Sequence, residues 1–247
     1  MRFDRMRPAE LSDAVERRIP FVLPIGVMEY HGQHLPSGVD LIVVEEVLDR
    51  LGDEIVLMPP FAYGAASFAV ARPEDGATLH VDASAILPFA EALFASLLQG
   101  GYRNIHGIVH HQTENFHQGM PTDLAFRLAA RNAIFRHLEG IRGTGWWGAA
   151  GMSDYYDQHA EGTDPFNWIQ IHPLFPKGAD FPFDHAGEGE TALMLALAPE
   201  TVDIGQAQGD GHWFTDTAPQ ASAEAGERGV EIALDHLRSV LGLAART

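Results

Sequence analysis

The chain has 247 residues, 46% of them hydrophobic and 20% charged, which suits one large α/β domain with a sizeable core and excludes a disordered or fibrous chain. Its 16 basic residues face 34 acidic ones, a formal charge of −18, so neither a nucleic-acid backbone nor an anionic lipid surface is an expected partner. Cysteine is absent, which excludes disulfides and thiolate-zinc sites and is compatible with a cytoplasmic protein; with 13 histidines available, any metal must be held by imidazole nitrogens and carboxylate oxygens.

In chain order, the charged first 18 residues lack the apolar stretch of a signal peptide, and no later run reaches the roughly 18–20 apolar residues of a membrane span. Residues 20–26 (PFVLPIG) read as a buried strand. A helix is expected over 41–51, with Asp40 placed to cap it, then a short strand over 54–58. Over 83–98, Ile86, Leu87, Ala90, Leu93, Phe94, Leu97 and Leu98 recur on one face of a 3.6-residue period, and Gly100-Gly101 stops that helix. A strand over 105–109, a helix over 121–138 and a weaker strand over 141–150 follow. A helix opened by Gly-Glu-Gly-Glu continues through 192–197, where Pro199 ends it, and a last helix covers 223–241. With no repeat or linker, the chain reads as one domain over 1–247. Alternating strands and helices predict an α/β fold with a mainly parallel sheet covered on both faces, and sites at the carboxyl ends of its strands.

Three polar clusters fall at or near such ends. In the first, residues 26–40, Glu29 and His31 alternate so that an extended backbone points both to one side, and Asp40 at the start of the next helix can return to the same centre and bridge two ions. This chemistry suits zinc, manganese or iron; a polar loop with a helix cap is the bland alternative. The second is His110-His-Gln-Thr-Glu-Asn115, six polar residues directly after a strand, costly to bury without partners; Glu114 and a neighbour can complete a metal site, or the loop is merely solvated. His106 and His117 read as structural or surface residues. The third runs from Asp184 to Thr191: His185, next to a helix N-terminus, suits a general acid or base. Glu188 and Glu190 read first as acids complementing the helix dipole, with support of a metal ligand as the sharper role for Glu190.

Together these clusters resemble the creatininase (creatinine amidohydrolase) family. Glu29, His31, His34 and Asp40 are similar to its Glu-x-His-Gly-x-His-Leu-Pro-x-x-x-Asp signature, and His185 to Thr191 to its His-Ala-Gly-Glu-x-Glu-Thr segment. The resemblance spans nearly the whole chain. It implies a three-layer α/β/α fold and a metal-dependent hydrolase, usually a hexamer, acting on a small cyclic or amide substrate. Glu29 would hold one ion, His31 the other and Asp40 both, with Glu114 as the remaining carboxylate and a catalytic group. His185 would protonate the leaving group. Tyr63-Gly-Ala-Ala-Ser67 resembles the loop whose serine faces the substrate.

Two departures stand out. Aligned on Glu114-Asn115, the family's ligand histidine becomes Gln112, expected at the substrate. Either His111 substitutes for it, or the first ion is weakly held, or one ion suffices. Phe181 and Pro182 lie in the region where creatininase carries tryptophans and an aspartate that grip creatinine, which argues against creatinine as substrate. A ring-opening hydrolase of a polyhydroxylated cyclic ketone such as 3-dehydro-scyllo-inosose is an alternative, as is an inactive small-molecule-binding or assembly subunit.

Overall fold

The computed structural model describes residues 1–207 and 211–244. Four strands, β1 (Phe21–Ile25), β2 (Val56–Leu57), β3 (Ile105–Val109) and β4 (Ile169–Pro173), form a sheet in the order β2-β1-β3-β4, every neighbouring pair parallel. The register Phe21↔Ile105 and Ile105↔Ile169 keeps β1, β3 and β4 level, so their carboxyl ends open on one edge.

Strand alternation divides the core. Phe21, Leu23, Ile25, Ile105, Val109, Ile169 and Ile171 turn to one face, against Ile86 and Phe94 of α3 (Ala83–Gln99) and Phe126 and Ile134 of α4 (Pro121–Arg142). Val22 and Ile108 turn to the other, under Val43 and Val47 of α2 (Val39–Asp49), Leu193 of α6 (Glu188–Leu197), and Leu234 and Leu237 of α7 (Ala223–Val240). The result is the expected three-layer α/β/α arrangement. Each fully buried side chain of the size of Phe94 contributes roughly 1.5–3 kcal/mol of transfer free energy. Among the described residues no helix is long and apolar enough to cross a membrane.

The sequence pattern differs from the fold in four places. Residues 141–150 form no strand: they finish α4 and enter the 3-10 turn Trp146–Gly148, because Gly143 and Gly145, at φ 77° and 75°, break the extended path. The fourth strand is β4, whose Gln170 and His172 dilute its apolar signal. Helix α1 (Pro8–Glu16), hidden in the charged N-terminal segment, starts at a proline and is tied by Glu10 accepting from the Arg7 N–H at 2.7 Å; α5 (Tyr155–Glu161) is only seven residues. Asp40 is not the cap of α2: Gly38 is, and Asp40 sits inside the first turn, buried.

Candidate metal centre

β1 and β3 are neighbours, so the loops leaving their carboxyl ends emerge side by side, the first with Glu29 and His31 and the second with His110 and His111. A Cβ at Gly26 would sit 2.9 Å from the Cα of Leu41; only glycine lets the end of β1 approach the start of α2 so closely, and this approach carries Asp40 to the same spot. The third contributor is the first turn of α6. Asp184 accepts from the Gly189 N–H at 2.7 Å and the Glu190 N–H at 3.2 Å, which satisfies the helix start and leaves the Glu190 side chain to turn inward.

Two ligand sets overlap at Asp40, and a third group, Glu29, His31 and His185, adjoins them. Glu29, Asp40 and His111 present one atom each within 4.8 Å of one another, and so do His31, Asp40 and Glu190. All five side chains are buried. Nδ1 of His111 is 3.2 Å from Oε2 of Glu29 and 3.5 Å from Oδ2 of Asp40. Nε2 of His31 is 3.4 Å from Oε2 of Glu190 and 3.9 Å from Oδ2 of Asp40. Asp40 is common to both sets, as a bridging carboxylate requires.

The donor chemistry fits a cation. Nδ1–H of His31 donates to the Glu29 carbonyl at 2.9 Å, so its Nε2 carries a lone pair. That lone pair, Oε2 of Glu29 and Oδ2 of Asp40 are buried without a hydrogen-bond partner. Acceptors facing acceptors in a buried space are stable only with a proton or a metal ion among them. Without a metal, protons take that role: burial opposes charge on His111, but the close carboxylates of Asp40 and Glu29 prevail and its pKa is pushed up to about 10. Burial likewise opposes the Asp40 carboxylate, yet His111, His31 and His110 hold its pKa far below the ordinary range. Glu190 is also lowered; burial is outweighed by His31 and His110, the latter 3.4 Å from its Oε1.

Around the centre, Oε2 of Glu190 accepts from the Ala186 N–H at 2.7 Å, and Nε2 of His34 meets Oγ1 of Thr191 at 2.9 Å, tying the first motif to α6. His185 lies against His31, with ring centroids 4.4 Å apart, and its Nε2–H donates to the Tyr30 carbonyl at 2.8 Å. A cleft of about 310 Å³ opens on the centre, with Ser67, Gln112, Glu114, Phe183 and Trp213 in its walls. No lysine or arginine lines it among the described residues. Ser67, Gln112 and Ala186 have φ of 62°, 52° and 53°, so three of the chain's strained non-glycine residues flank this one site.

Of the residues singled out in the sequence, Glu29, His31 and Asp40 converge, with His185 against them, and Ser67 and Gln112 reach the cleft. Glu114 does not join either ligand set: it is exposed on the 3-10 turn Thr113–Asn115, at the cleft wall. The histidine facing the carboxylates is His111, three positions before Glu114, and Gln112 after it takes a left-handed conformation. The carboxylate beside His31 is Glu190. His111 is one of the alternatives the sequence leaves open for the missing histidine, with the end of the strand at Val109 and His110-His111 next in line as its signal, and Glu190 reads first as a helix-dipole acid with support of a metal ligand as its sharper role. Phe181 stacks on Phe175 with centroids 5.4 Å apart and lines an adjoining cavity, while Phe183 and Trp213 are the aromatic walls of the cleft.

Residues 4–218 match the family model "Creatininase: Creatinine amidohydrolase". A creatinine amidohydrolase of Pseudomonas putida is 26% identical over 192 residues, 74% of this chain and 66% of that protein, so the chain spans just under two thirds of its length. The fold is that of solved creatininases: a manganese form superposes with a TM-score of 0.66 at 18% identity, covering 96% of this chain and 97% of the other. A point-mutant creatininase of the Zn-Zn type gives 0.65 at 18% identity, with the same coverage. The match over most of its length makes this chain a member of the creatininase family.

Proposed function

We propose that this chain is a metal-dependent hydrolase that opens a small cyclic amide, neutral or cationic, with zinc, manganese or iron as the metal. The observation that carries the reading is the buried meeting of unpartnered acceptor atoms from Glu29, His31 and Asp40. Glu29, Asp40 and His111 would hold one ion and His31, Asp40 and Glu190 a second. When bound, such ions supply an activated water and polarise the attacked carbonyl.

The chain's own residues orient and protonate. With Nε2–H engaged by the Tyr30 carbonyl, His185 takes up and releases a proton at Nδ1, delivering it to the leaving nitrogen. Phe183 and Trp213 wall in the ring, while Ser67 and Gln112 offer hydrogen bonds to its polar edge. Charge narrows the substrate class. Two divalent ions exceed the three ligand carboxylates by a single charge, which Glu114 and Asp184 more than offset, and a lone ion leaves the acids in larger excess. Among the described residues no lysine or arginine in the walls is available to pair with a substrate carboxylate or phosphate.

Self-association accompanies the activity in this reading: half-exposed Leu124, Leu128 and Phe135 lie on one face of α4. The test is turnover of a panel of lactams, formamides and keto-inositols by metal-loaded protein, with and without a chelator. Chelator-sensitive opening of a lactam supports the proposal; turnover that is indifferent to the chelator contradicts it.

A further inference from the structure

We infer that His80 is a positioning residue of the cleft, holding Ser67 in its left-handed conformation from a strap that also fixes both neighbours of Glu29. The inference rests on reading the cleft as the substrate site. Ser67 has φ 62°, a conformation a serine does not hold without support, and its backbone N–H donates to Nδ1 of His80 at 2.8 Å. Nδ1 can accept only if the proton is on Nε2, and Nε2 faces Oδ1 of Asp82 at 3.4 Å, a carboxylate that favours that tautomer. The ring of Phe68 packs against the imidazole, centroids 5.9 Å apart.

The segment carrying His80 is anchored on both sides. Oγ1 of Thr78 accepts from the Tyr30 N–H at 3.0 Å and the Leu79 N–H donates to the Met28 carbonyl at 2.8 Å, so the residues before and after Glu29 are both held by the strap. Two residues on, the Val81 N–H donates to the Gly64 carbonyl at 3.3 Å, at the root of the loop bearing Ser67. One short stretch of backbone, residues 78–82, therefore sets the distance between the cleft wall and the loop of Glu29. Within the wall, the Ser67 hydroxyl accepts from the Ala69 N–H at 3.2 Å, which leaves its own hydrogen for an acceptor on the ligand.

The test compares His80→Ala with His80→Asn in the zinc-loaded full chain, because the asparagine side-chain oxygen can stand in for Nδ1 as acceptor. Two readouts are taken: amide hydrogen exchange of the peptide spanning 64–70, with the last helix as a folding control, and hydrolysis of 2-pyrrolidinone. Exchange at Ser67 is expected to quicken about tenfold or more in His80→Ala and to return to within about threefold of the parent in His80→Asn. KM for the lactam is expected to rise about tenfold in His80→Ala with kcat nearly unchanged, again rescued by asparagine. Unaltered exchange in the alanine variant, an asparagine variant as fast as alanine, or a fall in kcat at constant KM overturns the assignment. If the parent opens no lactam while the exchange pattern is as expected, the substrate reading fails and the His80–Ser67 tie stands.

Discussion

Nδ1 of His111 stands 3.2 Å from Oε2 of Glu29, while Gln112, the next residue, is turned into a left-handed conformation and lines the cleft instead. That division of labour gives a sharp expectation. His111→Asn should reduce the rise in melting temperature that added zinc produces, because it removes a ligand of one of the two sets and a bound ion stabilises only the state that binds it. Gln112→Ala should keep that rise, with Gln112→Gly raising the melting temperature of the metal-free protein by relieving a positive φ worth about 1 kcal/mol. A thermal-shift series with zinc settles both; equal zinc responses in His111→Asn and the parent would contradict the ligand set.

Glu190 and Glu114 should separate in the same way. Glu190→Gln removes a buried carboxylate from beside His31 and is expected to lower metal affinity about 10–100-fold, read by competition with a chromogenic chelator. Glu114→Gln should leave that affinity within about twofold, since its side chain is exposed. Its effect should fall on ligand charge: calorimetry with 2-pyrrolidinone, its 3-amino derivative and pyroglutamate should show the anion binding weakest to the parent, and gaining on the cation in Glu114→Gln.

A separate expectation concerns stability at low pH. His106 and His172 stack at 5.3 Å across β3 and β4, away from the metal centre. Nε2–H of His106 donates to Oδ1 of Asn104 at 2.8 Å, and its Nδ1 meets Nε2 of His172 at 3.1 Å, an arrangement that fails when both rings are protonated. Burial, aided by the mutual repulsion of the rings, pushes His106 down to about 3, and burial with the nearby His236 pushes His172 down to about 4. The unfolded chain, with ordinary histidines, binds more protons between these values and about 6.5. Stability is therefore complete above that upper limit and drains as pH falls toward 4, by on the order of 5 kcal/mol. The double variant His106→Gln/His172→Gln should show a visibly flatter decline between pH 6.5 and 4 in urea melts; parallel curves would refute the assignment.

Leu128 sits half-exposed between Leu124 and Phe135 on α4. Leu128→Glu should reduce the particle mass in light scattering without lowering the melting temperature of the monomer by more than about 0.5 kcal/mol equivalent. An unchanged mass would show that this face is not used.

Much of the fold was legible because buried parallel strands and amphipathic helices write strong patterns: β3 and α3 fall within a residue of their expected limits. β4 was not, since two of its five residues, Gln170 and His172, are polar and His172 pairs with His106 of β3, a tertiary fact without a local signature. At the site, Glu29, His31 and Asp40 were legible from alternation and spacing. For His111 the sequence left alternatives open, and Glu114 read as a ligand, because spacing alone does not say which side chains the loop after β3 aims inward. Glu190 was hidden by a competing use for first-turn acids, a use that Asp184 already fills.

The central claim is that separated acids and imidazoles share a divalent cation. Elemental analysis of the chain after zinc or manganese loading and exhaustive dialysis tests it most directly. One to two equivalents per chain are expected, falling to near zero in Asp40→Asn, whose carboxylate belongs to both ligand sets. A metal-free parent, or an Asp40→Asn variant that retains the parent's full complement, would contradict it.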